Sequence, residues 1–232
     1  MNRKQIFHFL RWSYDHLTHV NVYNADLLPD SGPFILALNH NSRLDFPLLL
    51  YSDKRSDDLK ALVADKYKKY PAFKYIVEHT EMIWIDRSTA DFGAFRKAFE
   101  WIHQGKILCL APEGTRSRNG QLLEGKSGVV FLASKSGVPI CTASISGTDK
   151  GAEDLKHFRK PNFTIRFGPP FLPEKIDPDH REESLHVITD QVMCRIAAML
   201  PASYRGYYKD NPLVAQISEQ WKKDPSINLP DD

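Results

Sequence analysis

The stretch Phe34-Ile35-Leu36-Ala37-Leu38-Asn39-His40-Asn41-Ser42-Arg43-Leu44-Asp45 decides the fold. Five apolar residues in a row, without alternation, describe a strand buried on both faces, and such strands belong to parallel sheets covered by helices. The run breaks into a polar turn, after which Pro47-Leu48-Leu49-Leu50-Tyr51 reads as the start of a helix. His40 thus falls where a strand ends and the chain turns toward a helix, the address at which open α/β sheets carry their chemistry.

Working outward, apolar runs at 59–63, 82–85, 107–111, 139–143 and 163–167 read as further strands. Helix-period segments lie between and after them. Residues 91–103 put Phe92, Phe95, Phe99 and Ile102 on one face, 129–135 form a second helix, and 182–200 align Leu185, Ile188, Val192, Ile196 and Met199. This alternation predicts an α/β fold: a largely parallel mixed sheet flanked by helices, with a short N-terminal helical segment. The expected division is an amphipathic segment at 1–20, one main domain at 21–200 and a tail at 201–232. Pro201, Gly206, Pro212, Pro225 and Pro230 punctuate that tail, so it is expected to wrap the domain or to be partly mobile, with 213–221 helical. The charged stretch 147–160 reads as a loop, either a lid or a solvated connection.

The 232 residues are 42% hydrophobic, enough for one sizeable core. A formal charge of +2 gives no global drive toward nucleic acid, so any attraction to phosphate or anionic lipid must be local. One local cluster interleaves Lys66, Lys68, Lys69 and Lys74 with Tyr67, Tyr70, Phe73 and Tyr75; it reads first as a solvated helix face and second as a lipid or cofactor contact. Another places Ile6, Phe9, Leu10, Trp12 and Leu17 among Arg3, Lys4, Arg11 and His16, which suits a helix packed on its own domain or lying at a membrane interface. No run approaches the roughly 20 apolar residues of a spanning helix. The three widely spaced cysteines, Cys109, Cys141 and Cys194, in a chain without a signal-sequence pattern, suit a reducing compartment and buried structural roles.

Two motifs carry chemistry. A carboxylate on one ring nitrogen of His40 would fix its tautomer and leave the other nitrogen to accept a proton, and Asp45 is the candidate. On one regular helix the two would be rotated by about 140° from each other, so a turn must bring them together. The plainer reading makes Ser42-x-x-Asp45 a capping box serving only the helix terminus. The second motif, Pro112-Glu113-Gly114-Thr115-Arg116-Ser117, follows its own apolar run. Gly114 would let backbone amides approach an anion, Arg116 offers a bidentate phosphate contact, and Glu113 would hold the arginine or organise the loop. A solvated turn is the bland alternative. Residues 120–127, Gly-Gln-Leu-Leu-Glu-Gly-Lys-Ser, also match the G-x-x-x-x-G-K-S pattern of a P-loop, although a polar run rather than a strand precedes them. A nucleoside triphosphatase is therefore the competing class. No His or Cys spacing suggests a metal site.

Taken together, these blocks resemble the glycerolipid acyltransferases of the 1-acylglycerol-3-phosphate type. Asn39, His40, Ser42 and Asp45 match the family's His-x-x-x-x-Asp block, and Ile83-Trp84-Ile85-Asp86-Arg87 resembles its second. Residues 112–117 match its third in full, and Val138-Pro139-Ile140 its fourth. Glu81, Ala111 and Cys141-Thr142 depart from the pattern without touching the presumed chemistry. The resemblance implies acyl transfer from acyl-coenzyme A or acyl carrier protein to a lysophosphatidate-type hydroxyl, with glycerol 3-phosphate or another lysolipid as the alternative acceptor. It implies His40 as general base oriented by Asp45, and a phosphate site of Glu113, Gly114, Thr115 and Arg116, with Arg87 and Lys126 as secondary contacts. It further implies no tightly bound cofactor, no metal and no nucleic acid, and a peripheral place on the cytoplasmic face of a membrane.

Overall fold

The computed structural model describes residues 3–80, 82–86 and 92–230. Helix α1 (Arg3–Leu17) leads into strand β1 (His19–Tyr23). There follow β2 (Phe34–Leu38), α2 (Asp45–Ser52), β3 (Leu59–Ala64), α3 (Pro71–His79), β4 (Ile83–Ile85), α4 (Phe92–His103) and β5 (Ile107–Leu110). The rest is α5 (Gly128–Ser136), β6 (Ile140–Ser146), α6 (Thr148–Lys156), β7 (Asn162–Phe167), α7 (Arg181–Ala198) and α8 (Pro212–Lys222).

The strands form one sheet of seven in the order β1-β7-β6-β2-β5-β3-β4. All neighbours run parallel except β6 and β7. The mixed α/β sheet read from the sequence is therefore the fold. β2 sits at its centre and every one of its residues is buried. Ile35 and Ala37 point into a core shared with Ala98 of α4, Leu132 of α5, Val192 and Ile196 of α7, and Trp221 of α8. Phe34, Leu36 and Leu38 point the other way, into a core with Tyr14 of α1 and Leu48 and Leu49 of α2. The period of two inside an unbroken apolar run is what a strand sandwiched by helices requires.

Two elements, β1 and α6, depart from the sequence reading. β1 pairs with β7 at the sheet edge, where none of its residues is fully buried, and His19-Val20-Asn21-Val22-Tyr23 carries no apolar run to announce it. The stretch expected as a charged loop contains α6. Its Gly151 is a packing requirement, since a Cβ there would lie 2.6 Å from Phe163 Cζ. The tail wraps the domain: α8 buries Val214, Ile217 and Trp221, and its N-terminus is capped by Asn211, whose side chain accepts from Leu213 N ahead of Pro212.

Helix α1 splits its faces. Ile6 and Tyr14 are buried, whereas Phe9 and Trp12 are more than half exposed and stack along the outside with His16. The Tyr14 hydroxyl donates to Leu44 O at 2.9 Å, so the helix is fastened to the loop that carries His40. Burial, with Asp45 nearby, pushes the Tyr14 phenol above its ordinary range and keeps it a donor.

Candidate active site

The carboxyl ends of β2, β5 and β6 are neighbours in the sheet, so the loops leaving them meet on one edge. The chain crosses over β2 between β5 and β6, which makes this a topological switch point. Asn39 ties the loop after β2 to β6: its side chain donates to Ile145 O at 2.8 Å and accepts from Ile145 N at 2.7 Å. Asn41 adds a second donor to the same carbonyl at 2.9 Å.

His40 lies before α2 and Asp45 opens it, and the intervening turn brings them together. His40 Nδ1 is 2.8 Å from Asp45 Oδ2. The same oxygen accepts the backbone N–H of Asn41 at 2.7 Å and of Ser42 at 2.8 Å. The capping and orienting readings are therefore one arrangement, because the carboxylate that closes the turn before α2 also fixes the ring. Asp45 is 1% exposed, which makes the pairing insensitive to bulk water, whereas the His40 side chain is 31% exposed. With Nδ1 held as a donor, Nε2 has no partner among the described residues and is left as an acceptor.

Thr148 was not anticipated. Its hydroxyl donates to Asp45 Oδ1 at 2.5 Å, and the residue is fully buried. Tyr204, from the wrapped tail, supports the same turn, accepting from Gly147 N at 3.2 Å and donating to Asp149 Oδ1 at 2.9 Å. No local pattern announces either contact, since Thr148 is 103 positions from its partner.

The second motif grips the first by its backbone. Glu113 Oε1 accepts from His40 N at 2.7 Å, and Ser117 N donates to His40 O at 2.8 Å. Glu113 Oε2 accepts from Leu123 N at 2.9 Å. Glu113 is 2% exposed with both oxygens engaged, so its geometry is that of a strut organising the loops rather than a direct phosphate ligand. Burial pushes its carboxyl up to about 7, against the two backbone N–H groups, which favour the ionised form.

Gly114 has φ +66°, a left-handed turn that glycine adopts without strain. A Cβ there would also press on the Lys126 side chain, 3.1 Å from Cδ, so Lys126 lies alongside this loop with its ammonium exposed. The backbone N–H groups of Thr115 and Arg116 have no partner among the described residues, and the half-buried Arg116 forms no ion pair with them. Two free amides and a guanidinium beside a glycine turn are groups that can bind an anion. Arg87 lies outside the described residues.

The P-loop pattern does not form a P-loop. A phosphate cradle needs free backbone N–H groups, and here Leu122 N donates to Tyr204 O, Leu123 N to Glu113, Gly125 N to the Tyr208 hydroxyl and Lys126 N to Pro112 O. These bonds seal the loop against the tail, which removes the triphosphatase reading. The three cysteines are buried and free; burial raises their thiols, Cys141 and Cys194 each to about 12, so they carry no nucleophilic thiolate.

Comparison with known proteins bears on the family and the fold. The 1-acyl-sn-glycerol-3-phosphate acyltransferase of Bacillus subtilis (strain 168) is 24% identical over 79% of this chain and 83% of its own length. The chloroplastic 1-acyl-sn-glycerol-3-phosphate acyltransferase BAT2 of Brassica napus is 25% identical over 64% of this chain and 44% of its own. The chain spans about half the length of several such relatives, from 44% to 54%. The crystal structure of the 1-acyl-sn-glycerophosphate (LPA) acyltransferase PlsC from Thermotoga maritima superposes with a TM-score of 0.62 at 24% identity, covering 82% of this chain and 77% of that one, and shares the fold. The family model described as Acyltransferase matches residues 19–146, a span that begins at β1, ends with β6 and holds both motifs, and the chain belongs to that family.

Proposed function

We propose that this protein transfers a fatty acyl group from acyl-coenzyme A or acyl carrier protein to the free hydroxyl of a lysophosphatidate-type acceptor. The observation that carries the reading is the His40 ring, fixed at Nδ1 by a buried carboxylate with Nε2 open, on a loop bonded to the one that carries the Gly114 turn, the unpaired amides of Thr115 and Arg116 and the Arg116 guanidinium. A base alone would suit many reactions. A base next to an anion site suits a phosphorylated alcohol.

In this mechanism the acceptor phosphate rests on Arg116 and the amides of Thr115 and Arg116, with Lys126 adding positive charge from the side. His40 Nε2 takes the hydroxyl proton as the oxygen attacks the thioester carbonyl. The carbon–sulfur bond then breaks, and the proton passes from Nε2 to the departing thiolate. Asp45 stabilises the imidazolium in between without itself taking the proton. The thioester is already activated, so no covalent acyl-enzyme is required. The products are the diacyl lipid and the free thiol of the donor.

A lysolipid acceptor resides in a bilayer, so the protein works peripherally at a membrane surface, on the cytoplasmic face where the donors are found. Among the described residues no helix is long and apolar enough to span one. The test is transfer from labelled acyl-coenzyme A, and separately from acyl carrier protein, to lysophosphatidate and to glycerol 3-phosphate in detergent micelles. Transfer to lysophosphatidate that disappears in His40→Ala supports the reading. Transfer to glycerol 3-phosphate alone reassigns the acceptor, and no transfer from either donor overturns it.

A further inference from the structure

The sheet order puts more than the catalytic loops on one edge. β7 lies two strands from β2 on one side and β3 two strands on the other, so the loops at their ends flank His40 at about 10 Å each way. β7 runs antiparallel to β6, so its start, and the 157–161 loop before it, share the edge of the β6 carboxyl end. The turn after β3 reaches the same edge, where Arg43 of the His40 loop lies over the rings of Tyr67 and Tyr70 at 5.7 and 5.8 Å.

The first flank carries Phe158, whose side chain is 100% exposed. It ends α6 in a Schellman turn, with Arg159 N donating to Asp154 O and Phe158 N to Leu155 O. Phe158 occupies the left-handed position of that turn at φ +55°, where glycine is usual and a bulky side chain is sterically penalised. The sequence accepts that penalty in order to hold a large apolar side chain wholly in water, which stability does not reward. Lys156, His157, Arg159 and Lys160 surround it, although Arg159 is paired with Asp154, and Lys156 and His157 lie near Glu153. The second flank is more strongly charged. Lys66, Lys68 and Lys69 are exposed, carry no ion pair with a described residue, and lie over Tyr67, Trp84 and Tyr70 at 5.3 to 5.6 Å; Asp65 is the acid beside them.

We propose that this carboxyl edge is the face on which the protein docks to an anionic lipid bilayer, with Phe158 inserted at one flank and the Lys66 to Tyr70 turn held against headgroups at the other. His40 then opens toward the membrane between them, so the acceptor reaches Nε2 with its acyl chain still in the bilayer. The assignment rests on the reading of the acceptor as a membrane lipid. Exposed cations beside the exposed rings of Phe158 and Tyr70 fit a headgroup layer, in which rings sit at the interface and ammonium groups meet phosphate.

The test is co-sedimentation of the full chain with phosphatidylcholine vesicles, with and without phosphatidylglycerol. Binding is expected to need phosphatidylglycerol and to weaken with salt. Phe158→Gly suits the left-handed turn better than phenylalanine, so a purely structural role predicts no loss; docking predicts about tenfold weaker binding. The pair K66E/K69E is expected to weaken it by at least about tenfold. Leu172→Ser, exposed beyond β7 near the opposite end of β6, is expected to bind as wild type. Wild-type binding by both Phe158→Gly and K66E/K69E overturns the proposal. So does loss confined to Trp12→Ser on α1, a dimer that Phe158→Gly dissociates, or an acidic carrier protein that loses affinity for K66E/K69E while vesicles do not. Transfer to a short-chain, water-soluble lysophosphatidate separates the two readings. Its retention in both variants leaves the catalytic reading intact whatever the vesicles report, and its absence in wild type with vesicle binding intact defeats the catalytic reading alone.

Discussion

The Thr148 hydroxyl donates to Asp45 Oδ1 at 2.5 Å, while Oδ2 of the same carboxylate orients His40. Thr148→Val removes a hydrogen bond to a buried charge, a change of about 2 kcal/mol. It should lower kcat by about tenfold. Thr148→Ser keeps the donor and should behave as wild type. A Ser variant that loses as much kcat as the Val variant would assign Thr148 to packing alone.

His40→Ala should lose on the order of 10² to 10⁴-fold in kcat with its thermal unfolding nearly unchanged, the usual worth of a positioned base. Asp45→Asn should fold, because an amide oxygen can still accept from Asn41 and Ser42 and its NH₂ can donate to the Thr148 hydroxyl. Turnover measured in both should fall, with the larger loss in His40→Ala.

Arg116→Ala should act mainly on the acceptor, raising its KM by about tenfold or more through loss of a charge-assisted contact. Arg116→Lys should recover only part, because an ammonium lacks the planar fork. Steady-state kinetics with the donor saturating distinguishes these effects, and an unchanged acceptor KM in Arg116→Ala would end the phosphate assignment.

Glu113 links stability to pH with an unusual sign. Its carboxyl is raised from 4.5 to about 7 in the folded state, so between those values the native chain binds a proton that the unfolded chain has released. Stability from this group is present below 4.5, declines as pH rises, and is gone above about 7, a span of roughly 3 kcal/mol. Urea midpoints taken across that window should fall with rising pH, and Glu113→Gln should remove that component of the slope.

Much of this was legible in the sequence where physics is local. The unbroken Phe34–Leu38 run fixed the central strand, and a histidine at its end marked the edge where chemistry gathers. What escaped was nonlocal or masked by composition. β1 is an edge strand with no apolar run, and α6 hides behind charge and a mid-helix glycine whose reason is Phe163. Glu113 reads locally as holding Arg116 or organising its loop, and the resemblance adds it to the phosphate site, but nothing in its neighbourhood shows that His40 N and Leu123 N occupy both oxygens. The P-loop pattern failed for the same reason, since a motif lists residues and cannot say which amides are already bonded.

The pairing of β1 with β7, and the sealing of the 122–125 loop by Tyr204 and Tyr208, carry a consequence for synthesis. During translation the first strand waits for its neighbour until residue 167 has cleared the ribosome, and the catalytic turn lacks its Tyr204 support until the tail follows. The nascent chain therefore carries the His40 motif long before it is braced. The loop is braced only once the Tyr204 to Tyr208 segment has packed against strands and loops that precede it in the chain.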